Sequence, residues 1–510
     1  MVCAAAHRAA LRFRQRHNSI KTLVNQPGDG YKCLSSSKAS ANGSPVKQSV
    51  CGINPMKTLL NRFLITLALL VGCERVNATS VFPIATNASL VQLSGGIAAS
   101  GSNYVVSILS GSNVCVQLVS TNGNLLGSLI AIGTSKGFPR IAFGGTNYLV
   151  IWEDDYAINQ NLYGQIVSRS GVPVGSSFSM ALNTAASAVA SDGTNYLVVS
   201  RDGIKNFYGQ LVTGGGTLSG SAFLISSQQQ NGKYASATFG TTNYLVIWQS
   251  NNGSIGNTNK TYGAFVFPNG LVTSFFQIGQ TAAPDQNFLG LAFDGTNYLA
   301  VWQWNSYPEA TNSSGSVTNW NIFGRLVSQT GNLPGNELQL VTDAGNNQVP
   351  SLAFDGSNYL LTWSYGFQVI TNTNIRFQFL NRSGNAVGSR FTLFTAQGTN
   401  TPLFAFNGLI YDGTRYAIAA NLGASISASG VIYGGFIPRL PTLTASNYVG
   451  TQFSLRLTGT PGFNYAILMS TNLTLTNWTA IVTNSPTNGT FTFTDTSATN
   501  KSRFYRALSQ

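Results

Sequence analysis

The sequence is poor in the side chains that most enzymes use for acid–base chemistry. Of 510 residues, 8% are charged, 15 are Asp or Glu and two are His. His7, His17 and four of the five cysteines all precede residue 80. The rest of the chain holds no histidine for catalysis or metal binding and only one cysteine, Cys115. Ser-His-Asp, Cys-His and His-metal chemistries are therefore excluded there, and we predict no cofactor and a buried apolar role for Cys115.

Acidic residues are scarce, but the resulting basic excess is unevenly placed. The formal net charge is +13, of which residues 1–55 contribute +7 and residues 56–79 contribute +2. From Ser80 onward 17 Lys/Arg face 13 Asp/Glu, which leaves +4. A nearly neutral body lacks the basic stripe that nucleic-acid binding needs, so we predict no nucleic-acid partner.

A secretory leader is predicted at residues 56–79. Met56, Lys57 and Arg62 form a basic start, and the ten apolar residues Phe63–Gly72 are too few for a membrane span. Two cleavage sites compete: Leu70–Cys73 resembles the lipobox of bacterial lipoproteins, with Cys73 as the lipidated residue, whereas Val76–Ala78 resembles an ordinary small-residue site. Both interpretations predict export, to the periplasm, the cell surface or outside. Membrane contact would then occur only through a lipid anchor, and we expect residues 1–55 to be a disordered upstream extension.

Seven repeats follow the leader. Each contains a turn and a strand of the type DGTNYLAVW, centred on a tyrosine, at spacings of 44, 48, 48, 54, 61 and 57 residues. The seven tyrosines are Tyr104, Tyr148, Tyr196, Tyr244, Tyr298, Tyr359 and Tyr416. Every unit adds a strand of the type NLYGQIVS, a short apolar strand and a strand such as RIAF before the tyrosine. Four short strands per unit predict a β-propeller blade, so residues 81–440 are predicted to form a seven-bladed β-propeller.

The number of short apolar strands predicts how the ring closes. Six copies follow the units, and the missing copy precedes them at Val81–Ile84. We therefore predict that this N-terminal strand completes the seventh blade. Alanines recur six residues before the tyrosine on the predicted innermost strand, which suits a crowded ring axis.

The predicted strand order divides the loops between two faces. The bottom face carries the Asp-Gly turns, and the top face carries the crossovers between blades and the loops between the second and third strands. Seven of the 13 acids of the body fall on the top face: Glu153, Asp154, Asp155, Asp202, Asp285, Glu309 and Asp343. The longest top-face loop runs from Trp304 to Trp320. Acids and aromatic residues on loops of a rigid scaffold are typical of a binding face.

The candidate ligand-binding residues form two groups on that face. They are Glu153, Asp154, Asp155 and Tyr156 in the second unit, and Trp304, Tyr307, Glu309 and Trp320 in the fifth. Each group has a second interpretation, because consecutive acids can simply be a solvated loop and the aromatic residues can pack within their own loop. The sequence does not establish whether the Asp-Gly turns or these acids bind a metal, although one carboxylate per turn favours plain hairpin chemistry.

Residues 442–510 change pattern and predict a small β-sandwich. The run Ser470-Thr471-Asn472-Leu473, Trp478 and Phe504-Tyr505-Arg506 resembles a C-terminal module of exported bacterial proteins. The seven NYLVVW-type units likewise resemble secreted bacterial seven-bladed propeller proteins. These resemblances imply the all-β fold, a propeller followed by a sandwich, but no activity, because neither family has one assigned.

The leading functional hypothesis is an exported, non-catalytic protein that binds carbohydrate or a cell-surface polymer through the top face. A polysaccharide-degrading enzyme is the alternative, with Glu309 and one of Glu153, Asp154, Asp155 or Asp285 as its carboxylate pair. A structural envelope protein is a third interpretation.

Overall fold

The computed structural model describes residues 80–86, 92–135, 137–154, 161–182, 184–227, 235–250, 259–280, 288–305, 320–343, 345–366, 374–395, 407–423, 430–449, 452–472, 478–496 and 503–510. These residues form strands and turns and no α-helix. Accordingly, no part of the described chain forms a helix with the length and hydrophobicity of a membrane span. The predicted leader, with Cys73, lies outside the described residues.

The strands form where β-branched and aromatic residues occupy odd and even positions alike, so that both faces of the strand are apolar. In Tyr148–Glu153 all six residues are buried, and Tyr244–Ser250 is buried throughout as well. A strand that is apolar on both faces must be covered on both faces. The repeats therefore stack their sheets face to face, with turns of Gly, Asn and Asp between strands.

Seven four-stranded sheets, the blades, are found in the described residues. The N-terminal strand is β1 (Ser80–Ala85). Blade 1 comprises β2 (Gln92–Ala99), β3 (Asn103–Ser110), β4 (Asn113–Ser120) and β5 (Leu125–Thr134). Blade 2 comprises β6 (Arg140–Phe143), β7 (Tyr148–Glu153), β8 (Asn161–Val167) and β9 (Pro173–Leu182). Blade 3 comprises β10 (Thr184–Ser191), β11 (Tyr196–Asp202), β12 (Phe207–Val212) and β13 (Leu218–Ser226). Blade 4 comprises β14 (Ala235–Phe239), β15 (Tyr244–Ser250), β16 (Lys260–Val266) and β17 (Phe276–Gln277). Blade 5 comprises β18 (Leu289–Phe293), β19 (Asn297–Asn305), β20 (Trp320–Ser328) and β21 (Leu338–Val341). Blade 6 comprises β22 (Asn347–Phe354), β23 (Tyr359–Tyr365), β24 (Asn374–Leu380) and β25 (Ala386–Thr395). Blade 7 comprises β26 (Asn407–Tyr411), β27 (Tyr416–Gly423), β28 (Gly430–Ile437) and β1.

All blades are antiparallel meanders, so the predicted all-β propeller is confirmed. In blades 1 to 6 the sheet order follows the chain from the innermost strand to the outer one. In blade 7 the outer position belongs to β1, which pairs antiparallel with β28. The Phe82 ring covers Gly434, where an added Cβ would lie 2.2 Å from Cε2 of Phe82. The chain thus closes its ring with the strand that the repeat count had left over.

The innermost strands line the ring axis and contact one another around the whole circle. Each of β2, β6, β10, β14, β18, β22 and β26 touches the innermost strands of both neighbouring blades, including β26 with β2. A Cβ added to Gly95 would lie 2.0 Å from the Pro139 carbonyl oxygen, and one added to Gly408 would lie 2.7 Å from the Ile97 nitrogen. These glycines are needed because the backbones approach too closely for any side chain.

Five of the seven repeated tyrosines join their blade, through the hydroxyl group, to the bottom-face turn of the preceding blade. The Tyr196 hydroxyl donates to the Asn147 carbonyl at 2.6 Å, and Tyr416 donates to the Asn358 carbonyl at 2.9 Å. Tyr104 of blade 1 donates to the Asp412 carboxylate of blade 7, across the ring closure. The repeat motif therefore fixes the spacing of neighbouring blades as well as filling the core between them.

The C-terminal residues form two small sheets. One is β29 (Thr442–Val449), β30 (Gln452–Thr458) and β33 (Thr490–Asp495); the other is β31 (Tyr465–Ser470), β32 (Thr479–Asn484) and β34 (Phe504–Ser509). Buried residues of both sheets, including Leu455, Ile467 and Tyr505, share one apolar cluster. The Thr460 hydroxyl also donates to the carbonyl of Thr414, in the bottom-face turn of blade 7.

Candidate functional site

The structure describes the top face in part, so some of the predicted site residues can be placed. Glu153, Asp154, Trp304 and Trp320 are described, and they lie at strand ends on the top face as the strand order requires. The remaining candidates lie outside the described residues: Asp155, Tyr156, Asp285, Tyr307 and Glu309. The proposed carboxylate pair of a glycosidase therefore has at least one member outside the described part of the chain.

The described acids of blades 2 and 3 hold their own loops. Asp154 accepts hydrogen bonds from the backbone and side-chain nitrogens of Asn161, at 2.8 and 2.9 Å. Asp202 makes the same two bonds with Asn206, also at 2.8 and 2.9 Å. Each Asp–Asn pair joins the end of the second strand to the start of the third. These carboxylates act as loop clamps, a role that their positions six residues after the tyrosine could have indicated.

Glu153 lies one residue earlier and points into the fold. Its exposed fraction is 9%, and its carboxylate occupies the space where a Cβ on Gly137 would lie. Its carbonyl oxygen accepts a hydrogen bond from the Ser135 hydroxyl. Of the acids in the predicted Glu153–Asp155 group, the two described ones thus make contacts inside the protein.

The two tryptophans of blade 5 differ in burial. Trp304 is half-buried and packs on Phe323 with ring centroids 5.1 Å apart. Trp320 is 7% exposed, and its carbonyl oxygen accepts a hydrogen bond from the Asn347 side chain of blade 6. Trp320 therefore belongs to the boundary between blades 5 and 6, whereas part of Trp304 faces solvent.

The position equivalent to Trp304 in blade 6 is Tyr365, which carries a different partner. The guanidinium carbon of Arg376 lies 3.3 Å from the centroid of the Tyr365 ring. Arg376 and Phe323 occupy the same repeat position, so a cation–π contact in blade 6 replaces an aromatic pair in blade 5. Both Tyr365 and Arg376 are half-buried, so the stack forms part of the surface.

A second arginine lies beside this stack. The Arg390 guanidinium is 5.6 Å from the centroid of the Trp363 ring and forms an ion pair with Asp343 of the blade 5–6 crossover. Partial burial lowers the pKa of Arg390 from its usual value by desolvation. We call the five residues Asp343, Trp363, Tyr365, Arg376 and Arg390 the arginine–aromatic cluster.

The amide of Asn374 adds a polar group to the same face of β24, two residues before Arg376. Asn374 lies opposite Tyr365 in the strand pairing. Its side-chain oxygen is buried and makes no hydrogen bond in the described structure, and the same holds for Asn321 in blade 5. An unsatisfied amide oxygen can accept a hydrogen bond from a ligand hydroxyl or a water molecule.

Arginines on the bottom face contrast with Arg376. Arg382 lies 5.0 Å from the Phe354 ring and donates to the Gly356 carbonyl at 2.9 Å. Arg415 lies 4.3 Å from the Phe436 ring and donates to the Thr121 carbonyl at 2.6 Å. These guanidinium groups hold turns together. Within the described residues, the Arg376 guanidinium stacks on its ring without a carbonyl or carboxylate acceptor.

Sequence reasoning missed the arginine–aromatic cluster, although the repeat alignment contained a signal. The residue before the third-strand glycine is aromatic in five blades: Tyr163, Tyr208, Tyr262, Phe323 and Tyr433. Blade 6 has Arg376 there, followed by Phe377 in place of the glycine. A charged residue at an aromatic repeat position departs from the pattern and could have identified the site.

Comparisons of the sequence with known proteins assign the chain to no family. No protein-family model matches the chain, and no curated protein matches it. Among solved structures, hydrazine synthase from Kuenenia stuttgartiensis is similar with a TM-score of 0.43 and 14% identity over 66% of this chain and 95% of that one. Prolyl oligopeptidase B from Galerina marginata gives 0.38 and 8%, over 72% and 55%. Within the described residues, no three His, Cys, Asp or Glu side chains lie where they could hold a metal ion together.

Proposed function

We propose that this protein is an exported, non-catalytic binding protein that recognises carbohydrate or a cell-surface polymer through the top face of the propeller, at blades 5 and 6. The observation that carries the proposal is the half-exposed pair of stacks at that place, Trp304 on Phe323 and Tyr365 beside Arg376. Planar side chains held by a rigid sheet offer a surface on which the apolar face of a sugar ring can pack.

The amide groups beside these stacks support the same ligand class. Asn321 and Asn374 stand at equivalent positions of β20 and β24, and each has a buried side-chain oxygen without a partner in the described structure. Sugar hydroxyls donate hydrogen bonds to such acceptors, while the neighbouring rings cover the C–H groups. The combination suits a ligand that is polar at its edges and apolar on its faces.

The described polar groups without a protein partner favour the top face: the Asn321 and Asn374 side-chain oxygens lie there, although Asp154 and Asp202 bond within their own loops. On the bottom face, Asp294 and Asp355 are 3% and 5% exposed, and their Oδ1 atoms each accept two backbone N–H groups of their own turn. Arg382 and Arg415 bond turn carbonyls there. The polar groups described on the bottom face are thus largely committed to the fold.

A glycan array combined with pull-down on insoluble polysaccharides tests the proposal. The variant Tyr365→Ala removes the stacking ring on the top face, and we expect at least a tenfold loss of binding to any glycan that the unmodified chain retains. Tyr411→Ala is the matched control, because Tyr411 is also a half-buried tyrosine at a strand end but lies on the bottom face. Thermal unfolding of both variants verifies that they fold.

Two results would contradict the proposed function. One is the absence of any glycan or polymer ligand for the unmodified chain. The other is a ligand whose binding Tyr411→Ala abolishes and Tyr365→Ala leaves intact.

A further inference from the structure

Arg376 takes an aromatic place in the repeat, and this changes the chemistry that blade 6 presents. In blade 2 the equivalent Tyr163 stacks against Trp152 with centroids 6.1 Å apart, and in blade 5 the equivalent Phe323 packs on Trp304. Blade 6 keeps both rings, with Trp363 at the place of Trp152 and Tyr365 at the place of Trp304, but the side chain between them is the guanidinium of Arg376. The aromatic contact found in blades 2 and 5 is thus replaced in blade 6 by a cation held on the surface.

The stack positions the guanidinium for a ligand. A contact of 3.3 Å between the guanidinium carbon and the ring centroid orients the planar group on the ring and limits its motion. The planar guanidinium can then donate two parallel N–H···O hydrogen bonds to the oxygens of an anionic group lying in its plane. Among the described residues no carboxylate or carbonyl occupies those donors, in contrast to Arg382 and Arg415 on the bottom face.

The charges around the stack are favourable for an anion. Asp343 is the described carboxylate of the cluster, and it is paired with Arg390. Two guanidinium groups and one carboxylate leave a local excess of one positive charge. Residues 367–373, which follow β23 and precede β24 in the sequence, contain no charged residue. The local field therefore favours a ligand that carries negative charge.

We propose that the ligand is an acidic polysaccharide whose carboxylate or sulfate group binds the Arg376 guanidinium while its sugar ring packs beside Tyr365. This inference rests on the proposed function and narrows its ligand class. A polysaccharide is favoured over a nucleic acid because the body carries a net charge of only +4 and the cluster offers one unpaired cation, whereas nucleic-acid binding needs several phosphate contacts along a basic stripe.

The test is isothermal titration of the full chain with matched polymers. Polygalacturonate supplies carboxylates, and its carboxyl-reduced form is the neutral counterpart. Dextran sulfate and dextran form the second pair, which distinguishes sulfate from carboxylate, and duplex DNA serves as a polyanion of another class. We expect binding to at least one acidic polysaccharide and at least tenfold weaker binding to its neutral partner. The affinity for the acidic polymer should also fall as the salt concentration rises.

Variants assign the binding to the site. Arg376→Gln should lower the association constant for the acidic polymer about 10- to 100-fold, the usual effect of losing a charge-assisted hydrogen bond. Arg376→Lys keeps the positive charge but loses the planar guanidinium. Its association constant should lie between those of the unmodified chain and of Arg376→Gln. Arg382→Gln is the matched control on the opposite face of the same blade, and we expect it to stay within twofold. All variants share residues 1–79, so their ratios are independent of that basic segment.

Each contrary outcome identifies what is wrong. Equal binding of acidic and neutral polymers, or an unchanged affinity for Arg376→Gln, overturns the acidic ligand and leaves the proposed function standing. Tighter binding of DNA than of every polysaccharide overturns the polysaccharide class. No binding to any of these polymers overturns the acidic ligand, and only an empty glycan array and pull-down in addition overturn the proposed function itself. If Arg376→Gln does not fold, Arg376→Lys together with the neutral polymer pairs still decides the question.

Discussion

At the scale of single residues, the repeated tyrosines have two structural roles: the rings pack between blades, and the hydroxyls can bond the neighbouring turn. Their rings are at most 1% exposed and fill the space between blades. Five of their hydroxyls donate to the turn of the preceding blade, for example to a backbone carbonyl from Tyr148 and Tyr298 and to a carboxylate from Tyr104. Such a bond offsets the cost of burying a hydroxyl, so in these five blades the motif couples packing to the geometry of the neighbouring turn.

This burial predicts a steep loss of stability at alkaline pH. Burial raises the pKa of all seven tyrosines above 10, for Tyr148 to about 12, and nearby carboxylates add to the increase for Tyr104, Tyr244, Tyr359 and Tyr416. Because the pKa is higher in the folded state, this stabilisation is complete below pH 10 and is lost as the pH rises through the folded values. Each tyrosine contributes about 1.4 kcal/mol per pH unit in that window.

Urea unfolding between pH 8 and pH 11.5, with tyrosinate absorbance recorded in parallel, checks this expectation. The free energy of unfolding should be nearly constant up to pH 10 with respect to these groups and then fall sharply, while the buried tyrosines ionise together with unfolding. A gradual ionisation of all tyrosines around pH 10 with a native circular-dichroism spectrum would show that the inter-blade hydroxyls are accessible.

At the scale of secondary-structure elements, the outer strands are held by a glutamine that recurs on the third strand. Gln165 donates to the carbonyls of Ile166, Val174 and Gly175, at 2.9, 3.1 and 3.2 Å. Gly175 has a φ of +68°, and the pairing of β8 with β9 shifts register beside it. The glutamine therefore satisfies carbonyls that the bulged outer strand turns inward. Gln117, Gln210 and Gln378 do the same in blades 1, 3 and 6.

Replacing Gln165 by Met keeps the length of the side chain and removes the donors. We expect the free energy of unfolding to fall by about 1–3 kcal/mol, because buried carbonyls lose their partner. Gln339→Met on the exposed face of β21 is the control and should change stability by less than about 0.5 kcal/mol. Urea unfolding of the two variants gives the comparison; similar small effects would mean that water replaces the glutamine donors.

The repeat pattern predicted the elements well because each was specified seven times over. The spacing of the tyrosines, the alternation of turns and strands and the surplus strand at Val81–Ile84 all pointed to one ring. The site was harder to predict, since it depends on which side chains the fold leaves uncommitted. The sequence predicts Asp154 and Asp202 as exposed acids, but in the structure each accepts hydrogen bonds that hold its own loop. The sequence places Arg376 within a strand, but its guanidinium lies on the surface against Tyr365.

At the scale of the whole molecule, the ring is closely packed at its axis, and the N-terminal strand β1 closes it at the outer rim of blade 7. Gly95 and Gly408 bring the first and last blades against their neighbours on the axis. The Ser94 amide of blade 1 also donates to the Asn421 side chain of blade 7 at 2.7 Å. The top face of blades 5 and 6 thus belongs to a ring whose first and last blades are joined both at the axis and at the outer strand.

The closure can be tested at Phe82, the residue of β1 that covers Gly434 and packs 4.9 Å from Phe436. Phe82→Ala should lower the free energy of unfolding by about 2–4 kcal/mol through lost burial. The matched control is Phe223→Ala, since Phe223 covers Gly209 from the outer strand of blade 3 in the same way. That change should cost a similar amount, because both rings fill an equivalent place.

The two variants should differ in where they loosen the structure. In blade 3 the outer strand β13 follows its partner β12 in the sequence after a short turn. In blade 7 the partners β1 and β28 are separated by almost the whole propeller sequence. Weakening the contact between β1 and β28 therefore frees the N-terminal end of the propeller. Hydrogen exchange of Phe82→Ala should accelerate in β1 and β28 and also in β27, whose Tyr416 to Gly423 segment would lose its outer cover. Phe223→Ala should accelerate exchange only in β12 and β13. Equal, local acceleration in both variants would show that β1 is an ordinary outer strand and that the ring closes through its axis alone.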